Sequence, residues 1–294
     1  MQKIAVIGLG KMGSVLAKKL LEAGLDVTVY NRTTSKMQPL LDMGAQGAQS
    51  AKEAAISADI VLTSLFDDAS VMEVVDGESG ILAGLKPGTI HIGTSTILPA
   101  TSKKLTESHQ QNNVIYIVGN VLGVPKVAEK GELTSIVAGE SNAIAACMPI
   151  FNAYSKTIIN VGEDAYKANV MKICTNYLLA TTIECMSELY TFAERNDLEA
   201  EYINKMFHTI YAHPAYQQYA DKIKNRDFDQ VNFDLKGGYK DLQLFQKAFT
   251  DVQVVPDLVN VIANKFVIAL AHGMENKDWS AVSDVTRKLA GLVK

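Results

Sequence analysis

The stretch "KIAVIGLGKMG" (Lys3–Gly13) decides the fold of this chain. It begins with a run of apolar and β-branched side chains, which predicts a strand. The pattern from Lys11 to Ala23 is that of a helix. Between the two elements, Gly8, Gly10 and Gly13 have the spacing G-x-G-x-x-G. A turn of this kind directly after a strand and before a helix predicts a βαβ unit that binds a dinucleotide.

Each glycine of this turn has a separate role in such a unit. Gly8 permits the tight turn, Gly10 lets the backbone approach a pyrophosphate, and Gly13 lets the helix pack on the strand. The free N–H groups and the positive dipole end of the helix then face the phosphates. The predicted cofactor contacts are therefore the whole turn: Gly8, Leu9, Gly10, Lys11, Met12 and Gly13.

Strand and helix patterns alternate through the first half of the chain. The strand patterns lie at Lys3–Leu9, Asp26–Asn31, Ala58–Phe66, Thr89–Ser95, Asn113–Val118, Glu132–Gly139 and Lys156–Gly162, with helical patterns such as Pro99–Gln111 and Asn142–Ala153 between them. This alternation predicts an α/β fold of the Rossmann type, with a doubly wound and mainly parallel sheet.

The pattern changes near Gly162. From Glu163 to Arg195 there is no strand signal and no proline, which predicts one long helix. The remainder reads as helices joined by short turns such as "KGGYK" (Lys236–Lys240). We therefore expect two domains, a dinucleotide-binding Rossmann domain over 1–161 and an all-helical domain over 162–294.

Composition and charge exclude several classes of binding partner. The net charge is -4 and no basic block is present, so nucleic acid and anionic membranes are poor candidates. No apolar run has the length of a membrane span without polar interruption. The predicted partner is a small-molecule substrate.

Three cysteines, Cys147, Cys174 and Cys185, lie in apolar context. Their odd number and the lack of C-x-x-C spacing predict buried thiols in a reducing compartment, which indicates a cytoplasmic protein. No histidine, cysteine or carboxylate cluster has metal-ligand spacing, so no metal is predicted.

The end of the second strand indicates which dinucleotide is bound. An acidic residue there would bond the ribose 2′-hydroxyl of NAD. The segment "YNRTTSK" (Tyr30–Lys36) contains no acid, but it offers the cations Arg32 and Lys36 and the polar side chains of Asn31 and Thr33. This set favours NADP(H), with NAD(H) still possible. A solvated basic turn is the alternative explanation.

Four motifs in order along the chain resemble those of the β-hydroxyacid dehydrogenase family. "IGLGKMGSVLAKKL" (Ile7–Leu20) resembles the signature G-L-G-x-M-G-x-x-x-A-x-x-L, and "GTSTI" (Gly93–Ile97) a stretch near the nicotinamide. "VMKICTNY" (Val170–Tyr177) resembles the catalytic K-x-x-x-N helix, and "YKDLQL" (Tyr239–Leu244) the K-D-L motif. The family includes 3-hydroxyisobutyrate dehydrogenase and glyoxylate/succinic semialdehyde reductase.

The resemblance implies that Lys172 is the catalytic acid/base and that Asn176 holds the substrate. The two residues are four apart, so on a helix they share a face. An apolar cleft lowers the pKa of a lysine, because desolvation disfavours the charged form, and this suits proton transfer near neutral pH. The alternative for Lys172 is a surface lysine whose stem covers apolar atoms.

Further cofactor contacts follow from the same resemblance. Thr96 is expected near the nicotinamide, and Lys240 near both nicotinamide and substrate. Leu65 and Phe66, which end the strand predicted over Ala58–Phe66, complete the predicted cofactor residues. The alternative for Lys240 is a helix-surface ion pair with Asp241.

The substrate loop departs from the family pattern. Relatives read D-A-P-V-S-G-G where this chain has "VGNVLGV" (Val118–Val124), so only Val121 and Gly123 are kept. Leu122 replaces a serine that supports the substrate, and Val124 replaces a glycine. We expect these four residues to line a more apolar substrate pocket, together with Asn176 and Lys240.

The leading hypothesis is an NADP-dependent oxidoreductase that transfers hydride between the nicotinamide and a small aldehyde, keto acid or β-hydroxy acid. One alternative is an imine reductase-like enzyme, although such relatives usually lack the lysine found at Lys172. Another is a non-catalytic dinucleotide-binding module. The resemblance also implies a homodimer or a homotetramer.

Overall fold

A computed structural model describes residues 2–292 of the chain, which divides into two compact units, Met1–Lys172 and Ile173–Lys294. The domain boundary predicted between residues 161 and 162 precedes this division, which falls inside the long helix Tyr166–Arg195. The outer bounds of that prediction, residues 1 and 294, lie outside the described residues. The two units are described separately below.

Residues 2–172, the described part of the first unit, contain a single sheet of eight strands. They are β1 Lys3–Ile7, β2 Asp26–Tyr30, β3 Gln46–Gly47, β4 Ile60–Thr63, β5 Ile90–Gly93, β6 Ile115–Leu122, β7 Leu133–Ala138 and β8 Ser155–Asn160. The strand order is β3-β2-β1-β4-β5-β6-β7-β8, and only the β6–β7 pair is antiparallel. The predicted mainly parallel, doubly wound sheet is confirmed.

Helices connect these strands. They are α1 Lys11–Glu22, α2 Gln38–Leu41, α3 Ala51–Ile56, α4 Asp68–Asp76, α5 Pro99–Gln111, α6 Pro125–Glu129, α7 Ser141–Ala146 and α8 Met148–Tyr154, with a 3-10 turn at Thr34–Lys36 and the long helix α9 Tyr166–Arg195 beginning after β8. Because β1, β2, β4, β5 and β6 run in parallel, their carboxyl ends meet at one edge of the sheet, where ligands bind in folds of this class.

Both faces of the sheet are buried. Side chains alternate along a strand, so Ile4 and Val6 of β1 join one apolar cluster with Leu16 of α1. Ala5 and Ile7, which point the other way, join a second cluster on the opposite face. A strand that is buried on both sides reads as a continuous apolar run, which explains the "IAVI" of β1.

Two predicted boundaries in this unit are wrong. The helix predicted over Asn142–Ala153 is divided at Cys147 into α7 and α8, because Pro149 lacks an N–H and so fits only the first turn of a new helix. The strand predicted over Asn113–Val118 continues to Leu122. Most of the predicted substrate loop is therefore the end of β6.

A buried chain of hydrogen bonds joins three elements of the sheet region. His109 Nδ1 lies 2.6 Å from the Leu105 carbonyl, so it donates there. Its Nε2 then accepts from His91 Nδ1 at 2.8 Å, and His91 Nε2 accepts from the Thr63 hydroxyl at 2.9 Å. Burial lowers the pKa of His109 to about 4 and that of His91 well below its ordinary value. Both rings are therefore neutral.

This pair predicts a loss of stability in mild acid. Histidine in the unfolded chain has a pKa of about 6.5, so below this pH the unfolded chain binds protons that the folded pair does not bind. The stability present above pH 6.5 is therefore lost as the pH falls toward 4. We expect each histidine to lower the free energy of unfolding by about 2 kcal/mol between pH 7 and pH 5. Urea unfolding of His109→Gln should show a shallower decline than the parent chain. Equal slopes for the variant and the parent chain would contradict the prediction.

The second unit is helical. It contains the rest of α9, followed by α10 Ala200–Ile210, α11 Pro214–Asn225, α12 Leu235–Thr250, α13 Asp257–Ala271 and α14 Val282–Leu289, with a 3-10 turn at Trp279–Ala281. The predicted all-α region and the single long helix are thus present. Among residues 2–292, no helix combines the length and the apolar character that crossing a membrane requires.

The turn predicted at "KGGYK" is wrong, because these residues lie inside α12. A Cβ on Gly238 would lie 2.9 Å from the ring of Phe266 and 3.0 Å from that of Trp279. Glycine is therefore present because neighbouring helices approach closely, and not because the chain reverses. The packing outweighs the low helix propensity of two adjacent glycines.

The cysteine prediction is only partly correct. Cys147 is buried, but Cys174 and Cys185 are exposed. These two lie eleven residues apart on α9, about three helical turns, so they project from the same side of the helix.

Candidate active site

The glycine turn after β1 leaves room for a ligand at one place only. Gly8 has a φ of +92°, and a Cβ there would lie 2.3 Å from the Ser64 carbonyl oxygen. A Cβ on Gly13 would lie 2.0 Å from the Gly8 carbonyl oxygen. Gly10 has no such neighbour within 4 Å. The two outer glycines therefore close the turn, while Gly10 faces open space.

Helix α1 begins directly at this open space. Its N-cap is Gly10, it has no side-chain cap, and its first turn contains no acidic residue. Leu9 is buried, Lys11 is exposed and Met12 packs partly against the core. The arrangement presents an uncapped helix N-terminus to an anion, so these residues fit the pyrophosphate of a dinucleotide.

Asn31 ties this turn to the end of β2. Its Oδ1 accepts a hydrogen bond from the Leu9 N–H at 2.9 Å, and its Nδ2 donates to the Thr33 carbonyl at 2.9 Å. The Asn31 side chain therefore shapes the turn. Arg32, Thr33 and Lys36 are exposed beside it.

The ends of β4 and β5 are held together by side chains. The Leu65 N–H donates to Ser95 Oγ at 2.8 Å, and Thr94 Oγ1 donates to the Thr63 carbonyl at 2.8 Å. Next to these bonds, Phe66 is 52% exposed and Thr96 is half-buried. The predicted cofactor residues of these two strands thus lie at the same edge of the sheet as the glycine turn.

Lys172, on the first turns of α9, reaches the end of β6. Its Nζ donates a hydrogen bond to the Val121 carbonyl at 2.8 Å. Val121 is buried, whereas Leu122 and Val124 are half-buried. Gly123 has a φ of +126°, and a Cβ there would lie 2.6 Å from the Leu133 side chain, so glycine is required at that point. The structure therefore brings the predicted proton donor to the predicted substrate segment.

Within the second unit, Asn176 and Lys240 share one partner. Asn176 Nδ2 donates to Asp241 Oδ2 at 2.9 Å, and Lys240 Nζ lies 2.7 Å from Asp241 Oδ1. Asp241 is only 3% exposed. The Lys240–Asp241 ion pair named as the alternative is therefore present, but its carboxylate is buried and does not lie at the surface. The sequence did not predict the contact between Asp241 and Asn176. The adjacent K-D of the motif was the available signal for Asp241.

The described part of the chain brings together no group of three histidine, cysteine or acidic side chains that could hold a metal ion. The polar groups at the sheet edge include the carboxylates of Asp67 and Asp68, which accept from backbone N–H groups, and several donors, which are backbone N–H groups, hydroxyls, amides and a lysine. Such donors suit phosphates and carbonyl oxygens.

Two family models match the chain. The model described as the NAD binding domain of 6-phosphogluconate dehydrogenase matches residues 3–162. The model described as NAD-binding of NADP-dependent 3-hydroxyisobutyrate dehydrogenase matches residues 167–286. Together they cover most of the chain, and each falls on one side of the start of α9.

Similar curated proteins extend over the full length. The uncharacterized oxidoreductase YfjR of Bacillus subtilis (strain 168) is 38% identical over 280 residues, which cover 95% of this chain and 98% of that protein. The NAD-dependent L-serine dehydrogenase of Pseudomonas aeruginosa is 28% identical over 96% of this chain and 97% of its own length.

Solved structures show the same fold. The 3-hydroxyisobutyrate dehydrogenase of Salmonella typhimurium matches with a TM-score of 0.85 at 22% identity, over 97% of this chain and 100% of that one. An imine reductase from Pseudomonas sp. matches with a TM-score of 0.62 at 19% identity, over 97% and 99%. The two family models and the full-length relatives place the chain in the β-hydroxyacid dehydrogenase family, as an NAD(P)-dependent oxidoreductase that acts on CH–OH groups.

Proposed function

We propose that this chain reduces small aldehydes or keto acids with NADPH, and oxidises the matching β-hydroxy acids in reverse, with Lys172 as the acid/base. One observation carries the proposal. The Lys172 ammonium is hydrogen-bonded at 2.8 Å to the Val121 carbonyl, at the carboxyl end of β6. This bond aims the proton donor at the edge of the sheet where the glycine turn lies.

In the proposed carbonyl reduction, Lys172 and Asn176 have different roles. When bound, NADPH would supply the hydride for the carbonyl carbon. The substrate oxygen then gains negative charge and takes a proton from Lys172 Nζ, leaving a neutral amine that solvent reprotonates. Asn176 follows one turn later on α9, and its amide N–H holds the substrate oxygen. In the oxidation direction Lys172 accepts the proton.

The cofactor preference is proposed from the end of β2. The uncapped start of α1 suits the pyrophosphate, and the exposed Arg32, Thr33 and Lys36 suit a 2′-phosphate. The segment has no carboxylate to bond a ribose 2′-hydroxyl and repel that phosphate.

Replacing Arg32 with alanine is expected to erode the preference for NADPH. The parent chain should bind NADPH at least about tenfold more tightly than NADH, since one cation–phosphate contact is worth about 1.4 kcal/mol or more. Arg32→Ala should weaken NADPH binding and leave NADH binding nearly unchanged, as measured by nicotinamide fluorescence titration. Equal affinities of the parent chain for both cofactors would contradict the proposal.

Two other functions are compatible with the fold. An imine reductase is disfavoured because relatives of that kind usually lack a lysine at the position of Lys172. A non-catalytic dinucleotide-binding module would not need the Lys172–Val121 contact. The deciding experiment follows NADPH consumption with a panel of aldehydes, keto acids and imines. Turnover of carbonyl compounds supports the proposal, whereas turnover of imines alone, or of nothing, would defeat it.

The end of β6 is proposed to set the substrate class. Leu122 offers no hydroxyl, and Val124 restricts the backbone, so a substrate carboxylate would lose hydrogen bonds there, each worth about 1–3 kcal/mol. We expect kcat/KM for an uncharged aldehyde as long as succinic semialdehyde to exceed that for glyoxylate by about tenfold or more.

The matched variant for this test is Leu122→Ser, which restores the serine of relatives. It should raise kcat/KM for glyoxylate and leave the value for the uncharged aldehyde within about twofold. If glyoxylate is already the best substrate of the parent chain by a wide margin, the apolar-pocket proposal is wrong. The anion contacts would then come from backbone N–H groups around Gly123.

The remaining predictions stay proposals. We assign cofactor binding to residues 1–161 and substrate binding and dimerisation to 162–294. We also propose a homodimer or a homotetramer in the cytoplasm. The L-serine dehydrogenase among the relatives is named for a β-hydroxy amino acid, which agrees with the proposed class of chemistry.

A further inference from the structure

Asn120 is a buried amide in β6 whose N–H groups are both directed at backbone. It is 0% exposed, and its Nδ2 donates to the Thr94 carbonyl at 3.1 Å and to the Ser95 carbonyl at 2.9 Å. Its orientation follows from chemistry, because the opposite orientation would place the amide oxygen against two carbonyl oxygens. Relatives with the D-A-P loop have proline at this place, and proline offers no side-chain donor.

Thr94 and Ser95, the two residues whose carbonyls Asn120 contacts, are also hydrogen-bonded to the end of β4. Ser95 Oγ accepts from the Leu65 N–H at 2.8 Å, and the Thr94 hydroxyl donates to the Thr63 carbonyl at 2.8 Å. The next residue along the chain is Thr96, the residue expected at the nicotinamide. Two carbonyls just before Thr96 thus depend on one side chain from the neighbouring strand.

Helix α9 approaches the same carbonyl. Asn169 is 0% exposed, and its Nδ2 lies 3.5 Å from the Ser95 oxygen, a long contact. Asn169 precedes Lys172 by three residues, so both lie on adjacent turns of one helix face. Ser95 therefore lies between the strand end that carries Thr96 and the helix turn that carries the proton donor.

We propose that Asn120 is a positioning residue for the reaction. It fixes the Thr94 and Ser95 peptides, and through them the position of Thr96 relative to Lys172. The catalytic consequence of this inference rests on the proposed function. The two hydrogen bonds from Asn120, which we call the Asn120 clamp, are present in the chain without any ligand. Removing the amide would take this donor from the Thr94 carbonyl and leave the Ser95 carbonyl with only the long contact from Asn169, so the segment would be freer to move.

The first test uses the protein without cofactor. In Asn120→Ala, hydrogen–deuterium exchange at the Leu65 amide, which donates to Ser95 Oγ, should accelerate about tenfold or more. The matched control is Ser135→Ala in β7, which removes a buried 2.7 Å hydrogen bond to Ser155 in the same sheet. That variant should leave exchange at Leu65 within about twofold of the parent.

The second test measures catalysis and cofactor binding. Asn120→Ala should lower kcat about ten- to a hundredfold, because small misplacements of reacting groups are costly, while the Kd for NADPH changes by less than about threefold. Asn120→Asp should recover kcat as the pH falls, since a protonated carboxyl donates one hydrogen bond to these carbonyls and a carboxylate none. The control Ser135→Ala should keep the parent kcat and pH profile.

The outcomes test the positioning role of Asn120 and the proposed function separately. Unchanged Leu65 exchange or unchanged kcat in Asn120→Ala overturns the positioning role. A fall in kcat that Ser135→Ala reproduces also overturns it, because the effect would then be general destabilisation. If the parent chain reduces no carbonyl compound, the proposed function fails. Faster hydrogen–deuterium exchange at the Leu65 amide in Asn120→Ala would still show that Asn120 fixes the segment.

Discussion

Replacing Lys172 with methionine is expected to lower turnover by about two to four orders of magnitude, the usual contribution of a general acid/base. Methionine keeps much of the length and the apolar stem of lysine but has no proton to give. The hydrogen bond to the Val121 carbonyl would be lost as well. Steady-state kinetics on the best carbonyl substrate from the panel would measure the loss. The Kd for NADPH should stay close to the parent value, because the proposed cofactor contacts lie mainly elsewhere.

Lys126→Met is the matched control for this variant. Lys126 is exposed two residues after Val124, so the substitution removes a lysine near the same segment without touching the proposed proton donor. Its turnover should remain within about twofold of the parent value. If Lys172→Met kept most of its activity, the proton would come from another group, and Lys240 would be the next lysine to replace.

The alternation of strands and helices was predictable because strands that are buried on both faces of a parallel sheet appear in the sequence as short, continuous apolar runs. A strand such as β1 can be apolar throughout, and the helix after it must cover one face. The glycine turn then fixes the strand–helix geometry, since a Cβ at Gly8 or Gly13 would collide with backbone. The strand, the turn and the helix follow one another directly in the sequence, which is why the pattern reveals them, although the contact that requires glycine at Gly8 comes from the distant Ser64.

The errors arise where distant contacts override local preference. Two adjacent glycines predict a turn, but Gly238 lies inside α12 because Phe266 and Trp279 pack against its backbone. Likewise, β6 runs on to Leu122 because β7 pairs with it through that residue, whereas the local sequence "GNVLG" contains two glycines that predict an earlier end. Propensity is a weak guide wherever tertiary contacts decide.

The candidate site shows the same limit. Lys172 and Asn176 were predictable because their spacing of four is visible in the sequence. Asp241 bonds to a residue 65 positions away, and Asn120 to carbonyls 25 and 26 positions away. The K-D of the motif contains Asp241 but does not indicate its contact with Asn176, and no local pattern marks Asn120. The groups that orient the proposed catalytic side chains were therefore visible only in the folded chain.

Asp241→Asn is expected to lower kcat/KM about a hundredfold. The carboxylate is nearly fully buried and accepts from Asn176 at 2.9 Å while pairing with Lys240 at 2.7 Å. An amide of the same shape has one oxygen, so it can accept from only one of these donors and turns an N–H₂ toward the other. Both proposed substrate-contacting side chains would then lose their fixed positions, and displacements of about 1 Å can cost a hundredfold in rate.

Asp251→Asn, at the C-cap directly after α12, is the control that separates this effect from a general loss of helix stability. Asp251 pairs with Lys247 at 2.8 Å, but both side chains are exposed, and such a pair contributes at most about 1 kcal/mol. Its kcat/KM should match that of the parent chain. The loss in Asp241→Asn should appear in kcat/KM with little change in the Kd for NADPH, since the proposed phosphate contacts lie in the first unit. If Asp241→Asn stayed within about twofold of Asp251→Asn, the buried carboxylate would serve the packing of α12 and would not orient Asn176 and Lys240 for the reaction.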